Sequence, residues 1–238
     1  MYYTILKFSM TKLFRRFILC HLPQQIPTLF VCVLYLDINN FVYADEITQA
    51  NFPNSFQKCI VCHGKNAQGN NTLKSPVLAG QYDWYLQRQL NNFTNGLRGK
   101  HPQDNGGQQM AAIAKTLSSA EISLLSDYLS KLPIMKDENF NVESTGDFKN
   151  GSRYYQAKCG ACHGGKAQGN KSFNAPKLAN QTFQYLAQQM ENFQQGKRGT
   201  EKADKFDRQM AMMSKTVQPK QLNDILFYIS KQNIDIEK

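Results

Sequence analysis

From about residue 45 to its end the chain repeats itself at an offset of 100 residues, without a gap. "KCIVCHGKNAQGN", starting at Lys58, faces "KCGACHGGKAQGN", starting at Lys158. "PVLAGQYDWYLQRQLNNFTNGLRG" from Pro76 faces "PKLANQTFQYLAQQMENFQQGKRG" from Pro176, and "QMAAIAKTL" from Gln109 faces "QMAMMSKTV" from Gln209. A gapless repeat of this length means two copies of one small domain in tandem. Their boundary falls in the polar stretch "PIMKDENFNVESTGD" from Pro133, where apolar periodicity lapses. We place the domains at 45–138 and 139–238.

Each copy reads as helical. Residues 48–61 and 147–161 lead as helices into the first repeated block. "YDWYLQRQLNNFTNG" and "TFQYLAQQMENFQQG" carry apolar residues at helical spacing and stop at glycine. "LSSAEISLLSDYLSK" opens on serines suited to capping, and its Ile122, Leu125 and Leu129 share one face. The second copy has Gln218 and Pro219 in place of Ser118 and Ser119, which leaves that helix start less defined. No alternating run suggests a sheet, so the class is all-α.

The first 44 residues differ from the rest. Lys12, Arg15 and Arg16 precede the apolar run Ile26 to Leu36, and Val42-Tyr43-Ala44 has the form of a signal-peptidase site. Cleavage after Ala44 is the expectation, with Met10 an alternative start. A retained anchor is the other reading, although the apolar run is short for a span. Cleavage removes Cys20, Cys32 and His21, so four of the six cysteines remain: Cys59, Cys62, Cys159 and Cys162. All lie in the repeated block. An exported domain ordinarily pairs its cysteines as disulfides. If these are committed elsewhere, a small helical domain must find another staple.

Net charge is +10 for the whole chain. The expected signal carries four basic residues and Asp37, leaving 24 basic and 17 acidic residues, a net +7. These charges are scattered, without a basic helix or interleaved aromatics, so nucleic-acid binding is not expected.

The repeated block contains Cys-x-x-Cys-His, the arrangement that attaches c-type haem. Cysteines three apart on a helical turn project to the same side and can form thioethers with two vinyl groups. The histidine that follows then reaches the iron as an axial ligand. A structural zinc site would need the two cysteine pairs to converge and would leave the histidines unexplained. A thioredoxin-like pair would need a strand–helix context that is absent. The expectation is two covalent haem c groups, on Cys59 and Cys62 with His63, and on Cys159 and Cys162 with His163.

The repeat also nominates a sixth ligand. Among Met190, Met210, Met212 and Met213, only Met210 faces a methionine, Met110, in the other copy. Met110 and Met210 each follow their histidine by 47 residues, and both are expected to bind iron; Met212 and Met213 are expected in the core. Such ligation raises the reduction potential and closes both axial positions. Pro76 and Pro176 are placed to offer carbonyls to the histidines' other ring nitrogens. Arg98 and Arg198 are either haem-propionate contacts or exposed helix ends. Tyr85, Tyr185, Phe93 and Phe193 are expected to line the pocket or core, and His101, which faces Glu201, is not expected to bind iron.

Two such domains, each with Pro-x-Leu-Ala-x-Gln, Phe-x-x-Gly-x-Arg and Gln-Met, resemble the cytochrome c4 family, the dihaem branch of the class I cytochromes c. The resemblance spans roughly residues 45–238. It implies tandem class I cytochrome c domains related by a pseudo-twofold. It implies an electron carrier of the periplasm, there or peripherally associated with the inner membrane, and not an enzyme. Its partners would be a respiratory donor complex and a terminal oxidase. A haem subunit of a dehydrogenase or oxidase complex would share the same sites. A dihaem cytochrome c peroxidase would instead need one iron without methionine.

Overall fold

The computed structural model describes residues 53–135 and 145–232. The expected signal segment, the start of the helix expected over 48–61 and most of the linker lie outside them. Among the described residues the regular structure is helical, apart from isolated bridges between Asn70 and Ser75 and between Asn170 and Ala175. The first domain has a 3-10 turn, Asn54–Phe56, then α1 (Gln57–His63), α2 (Asp83–Thr94), α3 (Asn105–Ala114) and α4 (Ser119–Lys131). The second has α5 (Phe148–Tyr155), a π-helical turn (Gln156–Gly160), α6 (Ala161–His163), α7 (Phe183–Gln194), α8 (Lys205–Ser214) and α9 (Pro219–Ser230).

Equivalent residues start equivalent helices. Asp104 accepts from Gly107 N at 3.0 Å at the head of α3, and Asp204 accepts from Asp207 N at 3.0 Å at the head of α8. Such a cap contributes about 1 kcal/mol. Ser118 and Glu121 close a reciprocal capping box on α4, with bonds of 2.8 and 3.2 Å. The copy lacking those serines still starts cleanly. Pro219 occupies the first helical position, and Gln221 accepts from Gln218 N at 3.2 Å.

The two cores show why the halves are not superimposable residue for residue. Phe56 is fully buried against Tyr128, ring centroids 5.9 Å apart, with Leu86, Ile122, Leu125 and Leu129 in the same cluster. At offset 100 its counterpart is Gln156, which cannot fill that space. Tyr155, one residue earlier, is fully buried instead, 5.1 Å from Tyr228. The π turn that follows it absorbs the extra residue, so Cys159 and His163 regain their register. Ahead of that turn, α5 crosses α9 so closely that a Cβ on Gly151 would lie 2.0 Å from the Asp224 carbonyl oxygen. Only glycine permits that crossing.

The two domains meet face to face through reciprocal contacts. Gln81 bonds the backbone of Lys177, while Gln181 bonds the backbone of Val77. Asn92 donates to Asp204 at 2.5 Å, and Asn192 donates to Asp104 at 3.2 Å. Each contact recurs with the domains exchanged, which is the pseudo-twofold.

Candidate haem-binding sites

Each histidine is placed by the loop that follows its helix. Gly69 and Gly169 return an N–H to the carbonyls of His63 and His163, at 2.9 and 2.7 Å. Their φ angles are 81° and 82°, and a Cβ would meet Val77 N at 2.9 Å or Lys177 N at 2.8 Å. Glycine therefore lets the chain fold back against the Pro76–Val77 and Pro176–Lys177 peptides. Those peptides present the carbonyls of Pro76 and Pro176 at 3.0 Å from Nδ1 of His63 and His163. The contact selects the tautomer with hydrogen on Nδ1, leaving Nε2 as the ring nitrogen for a metal.

His63 and His163 are buried, only 3% and 5% exposed. Burial holds both imidazoles below the ordinary histidine pKa, against a smaller opposing effect of the proline carbonyls, so both are neutral at physiological pH. Of the four cysteines among the described residues, Cys162 is exposed and the others half-buried, and none is joined to another in a disulfide. Burial pushes Cys59 and Cys159 up to about 11, the opposite of a redox-active pair, so the thioredoxin-like reading fails on its chemistry as well. Paired thiols and a buried, oriented imidazole on consecutive turns fit a covalently attached haem.

Met110 lies on α3, half-buried beside Phe93, Ala111 and Ala114. Met210 holds the matching place on α8, also half-buried. Met212 and Met213, expected in the core, are exposed at 64% and 41%. Two residues past Met210 along the helix, Met212 shares an outer face with Lys205, Arg208 and Lys215, around a shallow pocket of about 360 Å³.

The arginines are not exposed helix ends. Arg98 and Arg198 are 8% and 5% exposed, deep between the domains. Each guanidinium lies over its own domain's phenylalanine, Phe93 or Phe193, 4.5 Å from the ring centroid. Both donate to the same pair of oxygens. Gln89 Oε1 accepts from Arg98 at 2.6 Å and Arg198 at 3.0 Å, and Gln189 Oε1 accepts from Arg98 at 2.9 Å and Arg198 at 2.8 Å. Tyr185, expected in the pocket or core, accepts from Arg98 at 3.3 Å within this cluster.

The symmetry ends at the counter-charge. Asp207 takes two bonds from Arg198, at 2.6 and 3.0 Å, but Gly107 stands at its equivalent in the first domain. Burial pushes the Asp207 carboxyl up, and the Arg198 guanidinium outweighs it and holds the acid below its ordinary value. Arg98 Nε and Gln89 Nε2 are buried donors with no acceptor among the described residues. A carboxylate-bearing group fits them.

Asp207, Gln89 and Gln189 are not among the residues that sequence reasoning singles out, and Gln81 and Gln181 enter it only as the last position of Pro-x-Leu-Ala-x-Gln. The glutamines carry a signal, each being kept at the same place in both copies. Asp207 carries none, since the other copy lacks it.

Cytochrome c is the family whose model matches the chain, twice, over residues 53–133 and 148–233. Cytochrome c-552 of Acidithiobacillus ferridurans is 32% identical over 180 residues, 72% of each chain. A thiosulfate dehydrogenase electron acceptor of Thiomonas intermedia is 31% identical over 167 residues, covering 66% of this chain and 71% of that one. The structure of Acidithiobacillus ferrooxidans cytochrome c4 matches with a TM-score of 0.59 and 28% identity, over 73% of this chain and 98% of that one. The buried histidines, the paired thiols and the twofold repeat all agree with these matches: the chain belongs to the cytochrome c family, as a cytochrome c4-like electron-transfer protein with two covalent haem c groups.

Proposed function

We propose that this protein is a periplasmic carrier that takes single electrons from a respiratory donor and delivers them to a terminal oxidase. In this reading Met110 and Met210 are the sixth ligands of the two irons. The observation that carries it is the repetition of a complete ligand set. In each domain a buried histidine is fixed by a proline carbonyl at 3.0 Å, and a half-buried methionine sits on a helix capped by an equivalent aspartate, Asp104 or Asp204. When bound, each haem supplies one reversible electron transfer between ferric and ferrous iron.

The chain's own residues make that transfer easy. The histidine cannot rotate, because Nδ1 is held by backbone. Met110 and Met210 would hold the iron from the side away from the histidine, which would leave no coordination position for water or peroxide and little to rearrange between redox states. In this reading Arg98 and Arg198 would meet haem propionates, supported by their burial and by the Arg98 Nε that finds no acceptor among the described residues. Two haems bring up to four propionate charges, which would leave about +3 on a processed chain of net +7. Part of the excess lies along α8 and just past its end, where Lys205, Arg208 and Lys215 surround exposed Met212. An acidic docking partner suits that face.

No helix among the described residues is long and apolar enough to cross a membrane. Peripheral association with the inner membrane belongs to the proposal. So does a donor other than a respiratory complex: one relative is named for accepting electrons from thiosulfate dehydrogenase, and that chemistry is the second reading of the donor side. Stopped-flow oxidation of the reduced holoprotein by oxidase-containing membranes tests the proposal. Rapid oxidation that slows with ionic strength is expected, with negligible peroxide turnover. Rapid peroxide consumption by the half-reduced protein would transfer the function to a peroxidase.

A further inference from the structure

The peptide that orients each axial histidine is held at its other end by the opposite domain. The Pro76 carbonyl lies 3.0 Å from His63 Nδ1, and the N–H of that same peptide unit, on Val77, donates to Gln181 Oε1 at 2.7 Å. Across the pseudo-twofold, the Pro176 carbonyl lies 3.0 Å from His163 Nδ1, and the N–H of Lys177 donates to Gln81 Oε1 at 3.1 Å. Each carboxamide returns a bond, from Gln181 Nε2 to the Val77 carbonyl and from Gln81 Nε2 to the Lys177 carbonyl, both at 3.0 Å. Both glutamines are buried, and each Oε1 also accepts from the next N–H in its own chain, Tyr82 at 3.0 Å or Thr182 at 3.1 Å. The carboxamides are thereby fixed in orientation.

We infer that Gln81 and Gln181 are crosswise positioning residues: each sets the strength of the axial-histidine hydrogen bond, and so the reduction potential of the haem, in the domain to which it does not belong. The inference rests on His63 and His163 as axial ligands, which the family assignment supplies, and not on the identity of the partners. An amide whose N–H is engaged carries more negative charge on its oxygen, because resonance couples the two ends of the unit. Hydrogen bonds in such a chain strengthen one another by roughly 10–30%. A stronger acceptor at Nδ1–H makes the imidazole a more basic ligand, which favours ferric iron. A glutamine serving only to hold the domains together could bond any loop peptide. Both of these choose the one unit that already carries the histidine contact.

The holoprotein tests this with Gln181→Leu, Gln181→Glu and Gln81→Leu. The two haems are titrated separately by NMR, their methyl resonances assigned through contacts to side chains of one domain. Gln181→Leu is expected to shift the first domain's haem about threefold toward the ferrous state, or about 30 mV at 59 mV per decade, and the second's by much less. The His63 Nδ1 proton should move to higher field in the same variant. Gln181→Glu keeps an acceptor oxygen toward Val77 and should return the first haem to its native potential or below. Gln81→Leu should reproduce the leucine effect on the second domain's haem. A shift confined to the haem of the mutated domain, equal shifts in both haems of the Glu variant, or no shift would overturn the inference. If leucine loosens the domain contact, seen as a lowered melting temperature with both haems shifted, the Glu variant decides: a first haem left at the leucine value refutes the assignment.

Discussion

Asp207→Ala isolates the least symmetric feature of the domain interface. The carboxylate is the one acid bonded to a cluster in which Arg98 and Arg198 share the oxygens of Gln89 and Gln189. Removing it leaves the Arg198 guanidinium without its protein carboxylate, on the neutral oxygens of Gln89 and Gln189 and with a haem propionate as the remaining counter-charge under the proposed function. Breaking a buried pair from one side costs about 3–5 kcal/mol, mostly because the remaining charge stays buried and unpaired. For a protein of this size about 1 kcal/mol moves the melting temperature by about 2–4 °C, so the variant should melt roughly 6–20 °C lower. Scanning calorimetry of the holoprotein reads this directly, and Asp207→Asn, which keeps bond acceptors without charge, should lie between. The pH dependence has a defined sign. The folded acid sits below its ordinary value of 3.8, so its contribution is present above that value and fades as pH falls through the folded pKa. The difference between native and variant stability should therefore shrink below about pH 4. A loss under about 1 kcal/mol at neutral pH would refute the reasoning and show that other groups neutralise the cluster.

Three further outcomes are expected. Denaturing mass spectrometry of the mature holoprotein should show two haem additions and no alkylatable thiol, because all four remaining cysteines are committed to thioethers. Gly69→Ala should destabilise the first domain by about 2 kcal/mol or more, since it combines a left-handed residue with a Cβ 2.9 Å from the backbone that orients His63, and it should broaden that haem's resonances in NMR. Lys205→Glu with Arg208→Glu should slow electron transfer to an acidic partner several-fold at low salt and have little effect at high salt, read by stopped flow across an ionic-strength series.

What was legible in the sequence follows from what repetition preserves. Chemistry kept in both copies stands out: the Cys-x-x-Cys-His blocks, the prolines beside the histidines, and the paired methionines. Where the copies solve one problem differently, the gapless alignment misled. Phe56 and Tyr155 fill equivalent space from positions one residue apart, and the π turn that reconciles them has no signature in composition. Met212 and Met213 are apolar at helical spacing, yet their helix turns that side to solvent. Contacts between the copies were invisible for a simpler reason. A repeat shows which residues are kept, but not that Gln181 reaches Val77 rather than a neighbour in its own domain. Arg98 and Arg198 read equally well as exposed ends until the second domain covered them.

The central proposal is two haem sites, each closed by one histidine and one methionine. The absorption band from iron–methionine sulfur in the oxidised holoprotein tests this most directly, taken per haem and repeated in Met110→Ala and Met210→Ala. Two equivalents of the band are expected in the native protein, with loss of about half in either variant as one haem becomes partly high-spin and falls in potential. A native protein with one equivalent or none would contradict it, as would a band that survives Met210→Ala but disappears in Met212→Ala.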